Sequence, residues 1–113
     1  MFYEQHKDWI TEQEHTDIIK SVVLADKWSF GQTSDDGRYD LNFPMWTQGF
    51  FKVKDQQFTQ DTPAIIKTIS LRFVAQCPED YVLIRSMACA NTFGLDGDFH
   101  TDWPSPDKSV TGV

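Results

Sequence analysis

Cysteine is scarce in this chain. Cys77 and Cys89 are the only two, with eleven residues between them, and without a C-x-x-C spacing or a second pair they exclude a zinc knuckle and a disulfide framework. Both are expected to be reduced, buried thiols. Basic residues are also in short supply: ten Lys and Arg face seventeen Asp and Glu, a formal charge of -7. That balance disfavours phosphate backbones and anionic lipid, so no nucleic-acid partner is expected. Long apolar runs are lacking, which leaves neither a membrane span nor the core of a signal peptide. No membrane partner is expected, and the cytoplasm is the expected location. Histidine occurs three times only, as His6, His15 and His100.

What is present is a folding composition. Hydrophobic residues make up 40% and aromatics 14%, with four Trp and nine Phe, which suits a packed sheet and excludes a disordered chain. At 113 residues there is room for one domain with a modest core, spanning 1–113, and none for a second.

The pattern along the chain alternates between helical and extended signals. Thr11 followed by Glu14 predicts a capping box, and Ile18, Ile19, Val22 and Val23 give an apolar stripe at helical spacing, so a first helix is expected from Thr11 to near Trp28. Between Trp28 and Phe51, aromatic and Thr-containing runs around Asp35-Asp36-Gly37 predict a hairpin or meander. Phe43-Pro44 points to an edge strand or loop in its second half, and Phe50, Phe51 and Val53 resume a strand. Thr62-Pro63 is a helix opening with Thr as cap and Pro in the first turn. Ile65, Ile66, Ile69, Phe73 and Val74 form the apolar face of that second helix, which ends before Cys77-Pro78. Tyr81 to Cys89 is the strongest strand candidate, and Asn91 to Phe99, with Gly94 and Gly97, predicts a turn that delivers His100 onto another strand.

His100-Thr101-Asp102 carries the chemistry. On an extended backbone, positions i and i+2 share a face, so the His100 imidazole and the Asp102 carboxylate can converge on one cation. One nitrogen and one hard oxygen are two of the three ligands of a 2-His-1-carboxylate iron site. His15 falls in the first helix and is expected at its surface, not as the third ligand. Asp96, Asp98, Asp102 and Gly97 read more simply as an acidic turn than as a calcium loop, because the twelfth position counted from Asp96 is Asp107 and not a bidentate Glu. Arg85 is expected in a surface ion pair, and Trp103 between the metal pair and two prolines is expected to pack a loop.

The stretch from Arg85 to Asp102, RSMACANTFGLDGDFHTD, followed by WPSPDKSVTGV, resembles the iron-binding segment of the Fe(II)/2-oxoglutarate dioxygenases, in particular the prolyl-4-hydroxylase-like branch. The order of helix, paired strands, amphipathic helix and metal strand is similar too. The resemblance implies an α+β fold: a partial double-stranded β-helix, or jelly roll, with two helices packed on its sheet. It implies Fe(II) held by His100 and Asp102, and 2-oxoglutarate as co-substrate with ascorbate as an accessory reductant. It further implies hydroxylation of a small-molecule or peptidyl substrate coupled to decarboxylation of 2-oxoglutarate to succinate. Phe93 stands where the family commonly has a Tyr that contacts 2-oxoglutarate; Phe can pack there but cannot donate a hydrogen bond.

The family's distal His and its 2-oxoglutarate-binding Arg or Lys have no counterpart in these residues. The chain therefore reads as the N-terminal portion of such a jelly roll, with little or no turnover expected. The alternative is a noncatalytic, β-rich domain whose sheet is completed by a second copy, since unpaired strand edges favour self-association. A homo-oligomer is expected on either reading.

Overall fold

The computed structural model describes residues 3–33, 44–91 and 109–113. Thr11 opens the first helix as its spacing predicts. Its Oγ1 accepts the Glu14 N–H at 3.1 Å while Glu14 Oε1 accepts the Thr11 N–H at 3.0 Å, which satisfies two backbone donors reciprocally. α1 covers Glu12–Ile18 and then widens, because the Leu24 N–H reaches back to the Ile19 carbonyl at 3.0 Å. This makes Ile19–Val23 a π-helical segment. Ser21 donates its hydroxyl to the Asp17 carbonyl at 2.5 Å, a back-bond that competes with the regular ladder. The helix therefore stops at Val23, short of the expected Trp28. Trp28 instead donates its indole N–H to the Val23 carbonyl at 3.2 Å and caps that end from outside.

β1 (Ser29–Thr33) and β2 (Pro44–Gly49) pair antiparallel, with Ser29 opposite Thr47 and Thr33 opposite Pro44, in agreement with the hairpin pattern. The Asp35-Asp36-Gly37 turn expected between them lies outside the described residues. The pairing slips between Phe30 and Gln32. Gly31, at the slip, has a φ of +128°, a bulge conformation that side chains resist. Nothing lies within 4 Å of a Cβ built on either Gly31 or Gly49, so only the backbone separates the two positions. Gly31→Ala is expected to cost about 1 kcal/mol or more in urea melts, and Gly49→Ala much less.

Pro44 suggests an edge strand or loop, but β2 is the central strand of a three-stranded sheet ordered β1-β2-β5, where β5 is Met87–Ala90. Pro44 is the first residue of the strand, and a missing N–H there leaves the interior of the ladder intact. β3 (Phe51–Lys52) resumes as expected. It pairs with β4 (Gln57–Phe58), a strand without a sequence signal, and the Phe51 and Phe58 rings meet edge to face at 5.2 Å. Both sheets are antiparallel and neither is closed among the described residues.

α2 covers Ala64–Ala75, with Pro63 at the N-cap and no side-chain cap. Thr62, the expected cap, is buried and gives its hydroxyl to the Phe50 carbonyl at 3.1 Å, so it is spent on the core. The expected apolar face of α2 is the one that packs: Ile66 is buried, and Ile65, Ile69, Phe73 and Val74 are half-buried. The Tyr81 to Cys89 strand is shorter than expected and shifted to Met87–Ala90. β2 ends at Gly49, opposite Met87, so among the described residues no neighbouring strand continues beside those before Ser86.

The architecture is α+β, a helical layer on one face of an open antiparallel sheet. Val22, Phe50 and Ile66 form the buried centre, with Ile18, Trp28, Phe58, Ile65, Ile69 and Ala88 packed around it. Gln48 shares the face of Ala88, its register partner, and its amide Nε2 donates to the Val22 carbonyl at 2.9 Å. This bond ties the sheet to the π-helical segment. None of the described helices is long and apolar enough to cross a membrane.

A polar clamp holds the first helix to the second. Arg72 donates Nη1 to the Trp9 carbonyl at 3.1 Å and to Glu14 Oε1 at 3.0 Å, and Nη2 to Glu14 Oε2. Its guanidinium lies 5.2 Å from the centre of the Trp9 ring, and the Trp9 indole donates to Gln76 Oε1 at 2.9 Å. The Arg72 hydrogen bond, aided by the Thr11 N–H, holds the Glu14 carboxyl at about 2, well below its ordinary 4.5. A lowered carboxyl stabilises the fold above its unfolded value, and this contribution disappears as pH falls from about 4.5 towards 2. Urea midpoints measured across that range should fall steeply for the native chain and less steeply for Glu14→Gln, which starts lower at neutral pH.

Candidate functional site

His100, Asp102, Phe93 and Trp103, with the acidic turn at Asp96 to Asp98, lie outside the described residues. What the structure shows is how their flanks are held. On the near side, β5 pairs along β2, with Cys89 opposite Thr47 and Ala90 opposite Trp46. The chain thus leaves for the H-x-D segment from a strand fixed to the centre of the sheet. On the far side, Gly112 lies on the Phe73 ring of α2: a Cβ there would sit 2.8 Å from Phe73 Cε2. Glycine is what lets the backbone lie so close to the ring. Both ends of the segment are therefore anchored, one to the sheet and one to the helical layer.

Neither remaining histidine belongs to a group of three ligand-type side chains among the described residues. His6 Nε2 lies 2.8 Å from Glu4 Oε2, and His15 is exposed on α1, as expected for a surface helix position. Among the described residues no three His, Cys, Asp or Glu side chains are grouped to hold a metal ion. Comparisons with protein-family models, curated proteins and solved structures found no match. The cysteines are not the buried thiols expected: Cys77 is half-buried and Cys89 exposed, because β5 turns Cys89 to the face away from the helices. Arg85 is exposed, and no ion pair of Arg85 is found among the described residues.

A second group of polar side chains carries no sequence motif. Lys27 Nζ and Asp61 Oδ2 are 3.2 Å apart across thirty-four positions of sequence, bridging the start of β1 to the start of α2. The Lys27 hydrogen bond pulls the Asp61 carboxyl below its ordinary range. Beside this bridge is a cavity of about 250 Å³ lined by Ser29 and Thr47, opposite one another in the ladder, and by Gln48 and Phe50. Only tertiary pairing brings these residues together. The Thr59-x-Asp61-Thr62-Pro63 run before α2 was the one local hint of a polar helix entrance.

Proposed function

We propose that the chain carries the H-x-D part of a non-haem Fe(II)/2-oxoglutarate site, with His100 and Asp102 as ligands, on one half of a jelly-roll-like sheet. The observation that supports this reading most is the motif with its layout. A helix, a strand pair, an amphipathic helix and a strand paired to the central strand of the sheet occur in the order that the resemblance requires, and His100 follows that last strand in the sequence. Among the described residues the helical layer covers one face of the sheet and not the face of Thr47 and Cys89, an arrangement compatible with half of a double-stranded β-helix.

The donor set suits Fe(II): a neutral imidazole and a carboxylate are borderline and hard ligands of the kind that ion accepts. Two ligands are fewer than a facial triad, and no third is identified in these residues. The chain's own part is to hold two donors on one side of the ion and to pack Phe93 against the co-substrate. The bound iron and co-substrate would supply the oxidising power for hydroxylation of a small-molecule or peptidyl C–H bond. Weak iron binding and little turnover by the chain alone follow. Equilibrium dialysis under argon should show Fe(II) uptake that falls at least about a hundredfold in affinity in His100→Ala and in Asp102→Ala, since even outer-sphere partners of metal ligands are worth ten- to a hundredfold. Uptake unchanged in both variants would remove this reading.

A noncatalytic, self-associating role is favoured by a different observation. The sheet is open, and its outer strand β1 has no second neighbour among the described residues, which leaves one row of backbone groups able to pair with another copy. Sedimentation that is concentration-dependent and indifferent to iron would favour this second reading.

A further inference from the structure

We propose that the cavity beside the Lys27–Asp61 bridge binds a small zwitterion of the α-amino acid class. Three features point to that chemistry. The first is the bridge itself, an ammonium and a carboxylate 3.2 Å apart with their side chains half exposed at the rim. An α-amino acid presents the same two charges at a similar spacing, so laid antiparallel to the bridge its carboxylate meets Lys27 and its ammonium meets Asp61. A simple anion would gain from Lys27 and be repelled by Asp61, and a simple cation the reverse.

The second feature is Gln48. It is 6% exposed, it lines the cavity, and its amide nitrogen is spent on the Val22 carbonyl. Among the described residues its Oε1 accepts no hydrogen bond. A buried amide oxygen of this kind calls for a donor, and a ligand ammonium is one. The third is the remaining lining. Ser29 and Thr47 give the cavity a polar edge, and the buried Phe50 adds an apolar wall. At about 250 Å³ the space holds about eight waters at roughly 30 Å³ each, ample room for a free amino acid. Nothing in this inference needs iron, so it stands or falls apart from the H-x-D reading.

The test is a ¹⁵N-HSQC titration of the full chain with glycine, beside acetate and methylammonium separately at matched ionic strength. Saturable shifts at the Ser29, Thr47 and Asp61 amides with glycine, and much weaker ones with either half-ligand, are expected. Lys27→Met and Asp61→Asn should each weaken glycine binding about tenfold or more, the worth of one charge-assisted hydrogen bond. Both positions are solvent-facing, so the variants should fold, and their HSQC spectra report this directly. Non-saturating shifts, equal response to sodium chloride, or glycine binding that survives both substitutions would overturn the proposal, leaving the cavity to water.

Discussion

Phe50→Ala should remove about 3–5 kcal/mol from the stability of the chain, the usual cost of truncating a buried phenylalanine. A domain of this size has only about 5–15 kcal/mol in total, so the variant should be largely unfolded in modest urea. The expectation is large because Phe50 joins everything. Its side chain is 4% exposed and packs with Val22 from the π-helical segment and Ile66 from α2. Its backbone N–H donates to the Ser86 carbonyl at 2.9 Å, and its carbonyl accepts both the Thr59 N–H at 2.8 Å and the Thr62 hydroxyl at 3.1 Å. One residue therefore fixes the lead into β5, the exit of β4 and the start of α2. Removing the ring leaves a void that neither the sheet nor the helices can close without breaking those bonds. The urea midpoint should fall with little change in slope. Truncating Phe30 instead, which is 54% exposed against the Trp46 ring, should cost far less.

The second large effect concerns iron. If His100 and Asp102 are the only ligands supplied by one chain, each contributes a large share of a loosely held site, and neither described histidine is expected to take over when one is lost. His6 is engaged with Glu4 and His15 sits on the exposed side of α1. His15→Ala should therefore leave Fe(II) affinity unchanged while His100→Ala abolishes it. A site completed by a second copy adds a further expectation: Fe(II) with 2-oxoglutarate should raise the dimer fraction in anaerobic sedimentation, and His100→Ala should remove that increase.

Local chemistry was legible in the sequence where short-range rules decide it. Thr11 and Glu14 announced the first helix, and Ile65, Ile66 and Ile69 announced the packed face of the second, because capping and helical periodicity depend on neighbours three and four positions away. Boundaries and pairing were not legible, because partners far along the chain set them. Pro44 looked like an edge residue, yet β5 came to pair with the same strand beyond it. Tyr81 to Ser86 looked like a strand, yet the neighbouring strand ends at Gly49. Thr62 looked like a cap until the Phe50 carbonyl claimed its hydroxyl. β4 escaped notice since two residues carry no period. The Arg72–Glu14–Trp9 clamp and the Lys27–Asp61 cavity were invisible for the same reason: their members are close only after folding. At the candidate metal site the residue types and spacing were legible, and the structure adds how the flanking chain is anchored.

The most direct measurement is an anaerobic titration of the chain with Fe(II) and excess 2-oxoglutarate, followed by visible absorption, with His100→Ala beside it. A charge-transfer band of the iron chelate that grows with added Fe(II) and is lost in the His100→Ala protein is the predicted result. No band from folded chain, or an identical band from both proteins, would contradict the assignment of His100 and Asp102 as iron ligands.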